Sequence, residues 1–497
     1  MNVSKSSKIL SVIIGALMGA FLWRCRGEGG WGSFWGLCAV GTVITLLIYA
    51  FYGSKLKMKA ELIPVGVFML GAGVTGYATI ITQMAGVAYS DIYPFENSET
   101  PVYLPIDKWS ALEIMLIMGF TLAPLFAFYV CSLFSEKEYK IHHYAIMIAV
   151  FFAVSFTLRA TVSPYIMNAI NPDQTALAAR GIADAIQKGF IDPDTPLIPA
   201  KAYLAHFNDR GWADDIAFFE NYYMSIESIS NAIAALVVYL IPLVVWKDKV
   251  ASIGSFFVNL IMAVNTTIFD VFLTIPFKTG FFGNVNPPRF LEYGSWGLWE
   301  FATGMGLGFG SMLVIALLSN KYTKQEDFRS EPMIKNKGLR YAYFVLSSIF
   351  VFGVVPFRAL GIAGFRMLEK EVGFNFDGEL IGTIVCAVLS VIIGIFIIIR
   401  FKKTVIDRDL PVPVEDKPKN LAGRLLTIYF IYCGIIYFLF ADSLHENAPT
   451  YKGVSTVGQF FYQATSCRGI VLTVMVITFV ITLCFWLPTR KMLKKTK

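Results

Sequence analysis

The chain has 497 residues, 56% of them hydrophobic and only 15% charged, with a mean hydropathy of +0.60. A soluble globular protein carries about 25% charged residues, and its buried helices need polar faces that the apolar segments here lack. The net charge of +7 is gathered in short loops between apolar segments, which is a topology signal and no mark of nucleic-acid binding.

Lys5 and Lys8 precede an apolar run from Ile9 to Trp23. The run has the outline of a signal peptide, but no small-x-small cleavage site follows. Arg24 directly before Cys25 also speaks against a lipoprotein processing site, so the run reads as a retained first helix. Further apolar runs of roughly 20 residues follow, each the length of a transmembrane helix. The pattern predicts an all-α polytopic membrane protein with about twelve spans: 7–24, 33–52, 62–88, 110–134, 141–158, 226–246, 251–275, 294–318, 340–357, 379–400, 422–441 and 469–488.

Alternate connections are basic. GSKLKMK, SEKEYK, WKDK, the stretch from Asn320 to Arg340, the loop opening at Arg400 and the tail RKMLKKTK all carry lysine or arginine. Such loops stay cytoplasmic. The connection SDIYPFENSETPVYLPID, by contrast, has four acidic residues and no basic one. Both termini are therefore expected in the cytoplasm, with the chain in the plasma (inner) membrane. The expected organisation is helices one to five over 1–158, an extracytoplasmic helical cap over 159–225 and helix six over 226–250. Helices seven to twelve follow over 251–488, and a basic cytoplasmic tail over 489–497. Within the cap, QTALAARGIADAIQK and WADDIAFFENYY both show helical patterns. A polar insertion of this length is usually functional.

After the first span comes WRCRGEGGWGSFWG. The outer loop before the eighth span reads NPPRFLEYGSWGLWE. Glu28, Gly30, Trp31, Gly32 and Trp35 of the first correspond to Glu292, Gly294, Trp296, Gly297 and Trp299 of the second. The two loops occupy the same place in each half, as a parallel six-plus-six duplication would put them. Glycine and tryptophan are also common at membrane interfaces, so the match is short evidence.

Arginines collect at the outer ends of the spans, against the positive-inside bias: Arg24, Arg26, Arg159, Arg289, Arg358, Arg366 and Arg468. Guanidinium groups match phosphate or carboxylate bidentately. Together with Glu28 and Glu292 they form a candidate anion-binding set, each weighed against simple snorkelling to headgroups. Asp270, with Asn265 and Thr266 about a turn away, is the candidate coupling residue, since an intramembrane carboxylate faces a cavity or a partner. A plain helix–helix hydrogen bond is the other reading of Asp270. Gly15 and Gly19 form GxxxG, and Gly304, Gly306, Gly308 and Gly310 recur in the eighth span, which suits close helix packing.

Cys25 and Cys467 fall near ends on one face and could pair, while most of the other cysteines lie within apolar segments. His142 and His143 are adjacent but lack metal-ligand spacing, and no P-loop, dinucleotide turn, HExxH or GxSxG is present. No cofactor, metal or nucleic acid is expected. The expected partners are membrane lipids and an anionic small molecule or lipid headgroup. Two functions follow: a secondary transporter or lipid flippase for an anionic substrate, or an outer-leaflet transferase on a lipid or lipid-linked donor with Glu28, Glu292, Asp91 or Asp214 as base. A structural role in an envelope complex is a third.

Overall fold

The computed structural model describes residues 4–28, 34–53, 58–73, 119–170, 217–274, 295–318, 332–356, 378–401 and 455–464, with a few isolated positions besides. Among these residues there are helices and no strand. The helices are α1 (Lys5–Glu28), α2 (Phe34–Ile48), α3 (Ile63–Gly73), α4 (Pro124–Ser132), α5 (Ile141–Ala160) and α6 (Ser163–Ile170). They continue as α7 (Ala217–Val244), α8 (Lys249–Thr274), α9 (Ser295–Leu318), α10 (Lys337–Ile349), α11 (Gly378–Phe401) and α12 (Val457–Ala464). Wide π turns extend α2 over Tyr49–Gly53 and α10 over Phe350–Val354.

Among the described residues, 5 segments are long and apolar enough to cross a membrane. They lie in α1, α2 with its π turn, α5, α8 and α9. The chain is accordingly a helical, multi-pass membrane protein. The segment from Ala217 and the predicted sixth span form one helix, with Pro242 accommodated in its last turn. The first cap pattern lies outside the described residues, as do most of the predicted eleventh and twelfth spans and the pairing of Cys25 with Cys467.

Helices α1, α2, α3, α5, α7, α8 and α9 pack in that order, and α9 returns to α1, so they close a ring. Helix α4 fills its centre and touches α3, α5, α7, α8 and α9. Every residue of α4 is buried, from Pro124 to Ser132. Helices α10 and α11 pack outside the ring, with Trp35 against Phe350 at a ring-centroid distance of 6.3 Å. The outer face of α11 exposes Leu380, Ile384, Val388, Ile392 and Ile395, as a lipid-facing surface does.

The ring closes at α1 and α9, which run antiparallel at close range. A methyl group on Gly19 would stand 2.2 Å from the Gly304 carbonyl oxygen, and one on Gly308 would stand 2.0 Å from that of Gly15. Glycine is required at this seam because the two backbones meet with no room for a side chain. Lys8 Nζ donates to the Ala316 carbonyl at the far end of the seam.

The turns at that same end form a polar knot. The chain leaves α7 through Lys247, held at φ 54°, and Asp248 caps α8. Its Oδ1 accepts from the Val250 and Ala251 N–H groups at 3.0 Å each. Its Oδ2 accepts from Tyr139 at 2.8 Å and from Ser135, both on the α4–α5 turn. Lys59 pairs with Glu138 of that turn. The Glu61 carbonyl oxygen accepts from Tyr343 at 2.8 Å, which brings in α10. Four connections that the sequence marks as basic therefore meet at one end of the bundle. Burial first, and the Asp248 carboxylate second, push the Tyr139 hydroxyl far above the ordinary phenol range.

Gly19→Val should lower stability by about 2–3 kcal/mol through overpacking, whereas Gly458→Ala, with nothing within 4 Å, should be near neutral. Thermal unfolding in detergent compares the two. Asp248→Ala should cost about 2–4 kcal/mol, since it removes a helix cap and leaves buried donors without an acceptor. Because the folded-state pKa of Tyr139 is raised, its contribution is complete below the unfolded value of about 10 and falls away above it. Tyr139→Phe should accordingly cost about 1 kcal/mol at neutral pH and progressively less in alkali, read by denaturant titration at several pH values.

Candidate functional site

The end of the bundle opposite the knot holds several of the residues that the sequence singles out. Gly15 faces Gly308 and Gly19 faces Gly304. Continuing that register sets Trp23 level with Glu300, which is 6% exposed at the start of α9. Arg24, Arg26 and Glu28 occupy the last turns of α1, at or just beyond this level. Gly306 meets Met262 and Asn265, and Gly310 meets Val258 and Ile261, so α8 is antiparallel to α9. The same arithmetic brings Asp270 to the level of Glu300. For Arg24, Arg26, Glu28 and Asp270 the backbone is described and the side chain is not. Arg358 follows the π turn of α10, where its Nη1 donates to Thr383 Oγ1 of α11 at 3.3 Å. Arg289, Glu292, Arg366 and Arg468 lie outside the described residues.

Arg159 ends α5 at this level, and its guanidinium is engaged. Nη2 donates to Glu227 Oε1 at 2.8 Å and to Asn231 Oδ1 at 3.3 Å, both on α7. The Asn231 oxygen also accepts from Ser155 Oγ at 2.6 Å. Beside them Ser163 and Ser230 share a 2.7 Å hydrogen bond. The guanidinium carbon lies 5.2 Å from the Phe156 ring centroid. Only 16% of the Arg159 side chain and 10% of that of Glu227 is exposed, so this is a largely desolvated pair between two helices. Glu227 and Asn231 were not singled out from the sequence. Their signal is a polar set at Glu227, Ser230 and Asn231, one helical face leading into an apolar run.

The centre of the ring holds the least expected feature. The predicted fourth span, 110–134, is interrupted: residues 120–123 are non-helical and α4 begins only at Pro124. The interruption is enclosed and lies well inside the bundle. Gly119 is close against Ala263, and Cys131 against Gly254, so the break stands between those levels on α8. With α8 crossing over Lys249–Ile268, that is about halfway through the bilayer. Tyr239 of α7 donates to the Phe120 carbonyl oxygen at 3.2 Å, and Asn259 of α8 donates to Tyr239 Oη at 2.6 Å. The Phe120 and Phe256 rings lie 5.4 Å apart.

Asn259, Ala263, Thr266 and Asp270 follow one another at spacings that keep them on a single stripe of α8. Ala263 fixes that stripe towards the central segment. Asn265 belongs to a different face. Its Nδ2 donates to the Ala302 carbonyl oxygen of α9, a helix–helix contact. Among the described residues, Asn259 Oδ1 and Thr266 Oγ1 are buried without a hydrogen-bond partner. Also among the described residues, no three His, Cys, Asp or Glu side chains gather as metal ligands would.

Removing one member of the Arg159–Glu227 pair should cost about 3 kcal/mol, because the other charge is left buried. Arg159→Met with Glu227→Gln together should cost clearly less than the sum of the two. A double-mutant cycle on thermal unfolding checks this, and additive costs would show the pair to be uncoupled.

Comparison with protein-family models, curated protein sequences and solved structures finds no match to this chain.

Proposed function

We propose that the protein is a secondary transporter or lipid flippase for an anionic, phosphate- or carboxylate-bearing substrate. It spans the plasma membrane about twelve times, with both termini in the cytoplasm and the arginine-bearing helix ends outside. Arg24, Arg26, Glu28, Arg159, Arg289, Glu292, Arg358, Arg366 and Arg468 form its outer site, and Asp270, with Asn265 about a turn away, couples movement to a cation or proton.

The observation that supports this reading is the interrupted α4, wrapped by a ring of helices at mid-depth. Irregular backbone at membrane depth is tolerated only where protein or a water-filled cavity surrounds it, and transporters build their binding sites from such broken helices. The polar stripe from Asn259 through Thr266 to Asp270 leads from that break to the arginine-bearing end. A surface enzyme has no need of polar groups so deep. The alternative, an outer-leaflet transferase, is favoured by one specific feature: buried Glu300 stands level with Arg24 and near Arg26, where a carboxylate beside a bound phosphate would serve as base.

Native mass spectrometry of the full-length chain, gently extracted, should find a phosphate-headgroup lipid or a small anion retained by the wild type. Arg24→Ala and Arg289→Ala should lose it, with affinity down about tenfold or more for each bidentate contact removed. In proteoliposomes the wild type should move that anion or lipid between compartments, and the variants should not. A chemically altered lipid appearing in the wild-type sample would replace transport by the transferase. Retention unchanged by either substitution would overturn the arginine site.

A further inference from the structure

The break in α4 leaves hydrogen-bonding groups of both signs unsatisfied in one enclosed place. A helix beginning with proline has its first free N–H groups at the second and third positions, here Leu125 and Phe126. Ala123, the residue before the helix, supplies no side-chain cap. The first intrahelical bond runs from Ala127 N to the Ala123 carbonyl oxygen. Leu125 and Phe126 are fully buried, so water does not reach their N–H groups from outside. Uncapped N–H groups at a helix start bind anions, and the helix dipole adds about half a positive charge there.

Asn259 supplies an independent observation. It is 0% exposed, and its Nδ2 is committed to Tyr239, whose hydroxyl is committed to Phe120 of the break. That chain fixes which way the amide faces and leaves Oδ1 as an acceptor with no partner beside the break. A ligand that satisfies the whole place must therefore accept from the helix and donate to the asparagine. No lysine or arginine among the described residues stands at this level of α4, α7 or α8. About half a charge from a dipole balances a monoanion better than a phosphate dianion.

Resting on the transport reading above, we propose that the break at residues 120–123 is the mid-depth substrate site. Its ligand is a small carboxylate that carries a hydroxyl or amino donor. The carboxylate sits on the N–H groups of Leu125 and Phe126, and the donor on Asn259 Oδ1. Phe120, Phe256 and Tyr239 wall the apolar remainder. Thr266, with its unpartnered hydroxyl, is the next polar station towards Asp270.

The test is the thermal stability of the full-length chain in detergent with sodium L-lactate, glycine, acetate, phosphate or chloride at equal ionic strength. L-lactate or glycine should raise Tm by a few degrees, acetate by less, and phosphate and chloride not at all. Asn259→Ala should bring L-lactate and glycine down to the level of acetate, with affinity weakened about tenfold. Ala123→Ser, which gives α4 a cap of its own, should raise the resting Tm and abolish the response to every carboxylate. It also serves where Asn259→Ala folds poorly. No shift with any carboxylate, or a shift that survives both substitutions, overturns the proposal and leaves a trapped water as the partner of these groups. Phosphate-headgroup binding lost in Arg24→Ala alongside no carboxylate response would sink this site alone. Absence of both responses would remove the transport reading with it.

Discussion

A backbone polar group in hydrocarbon must find its partner inside the protein. That constraint governs the bundle. A break in a helix is affordable at mid-depth only if other helices enclose it, and the predicted fourth span is broken there, just before α4. Enclosure requires a closed ring, and the ring closes through the glycine contact of α1 with α9. Side chains at Gly19 and Gly304 would hold the two helices apart and admit lipid to the break. The packing glycines and the interrupted helix are therefore one arrangement, although they lie far apart in the chain.

The two ends of the bundle differ in kind. At the knot, polar groups answer one another locally: Asp248 serves two backbone donors and two hydroxyls, and Lys59 answers Glu138. Such a network fixes the turns against one another and leaves little for a ligand to take. At the opposite end, carboxylates and arginines stand on several separate helices, and Arg159, Glu227 and Asn231 are joined into a cluster. The buried unpartnered atoms Asn259 Oδ1 and Thr266 Oγ1 lie between the two ends, along the stripe of α8 that faces the break.

Much of this was legible in the sequence. Apolar length placed α1, α2, α5, α8 and α9, and the GxxxG spacing of Gly15 and Gly19 marked a packing face, since both signals are local. Four of the basic connections meet at one end of the bundle. The identity of the partner helix was not legible, because GxxxG states only that something approaches closely. The break in the fourth span was hidden for the same reason: LAPLF reads as apolar whether or not the helix is continuous, and one proline fits a helix start as well as a kink. Asn259 and Tyr239 passed unnoticed because each is a single polar residue in an apolar run. Only the fold brings them to Phe120. Arg159 was visible as an arginine, but its engagement by Glu227 depends on the packing of α5 against α7.

Rigidity is unevenly distributed, and this bears on any movement of the bundle. Helices α1 and α9 touch backbone to backbone, so sliding one past the other would drive carbonyl oxygens into Cα atoms. Helix α8 is tied to α9 by Asn265 and by the close approach of Gly306 and Gly310. These three helices form one tightly packed unit. The α5–α7 seam is different. Its contacts at the arginine end are polar and directional, and an ion pair can exchange one partner for another without a clash. On the transport reading, the ring opens beside α7, whose Tyr239 bridges the break, while the α1–α8–α9 unit stays fixed. On that reading, an anion arriving at that end would compete with Glu227 for Arg159 and loosen a seam beside the central break.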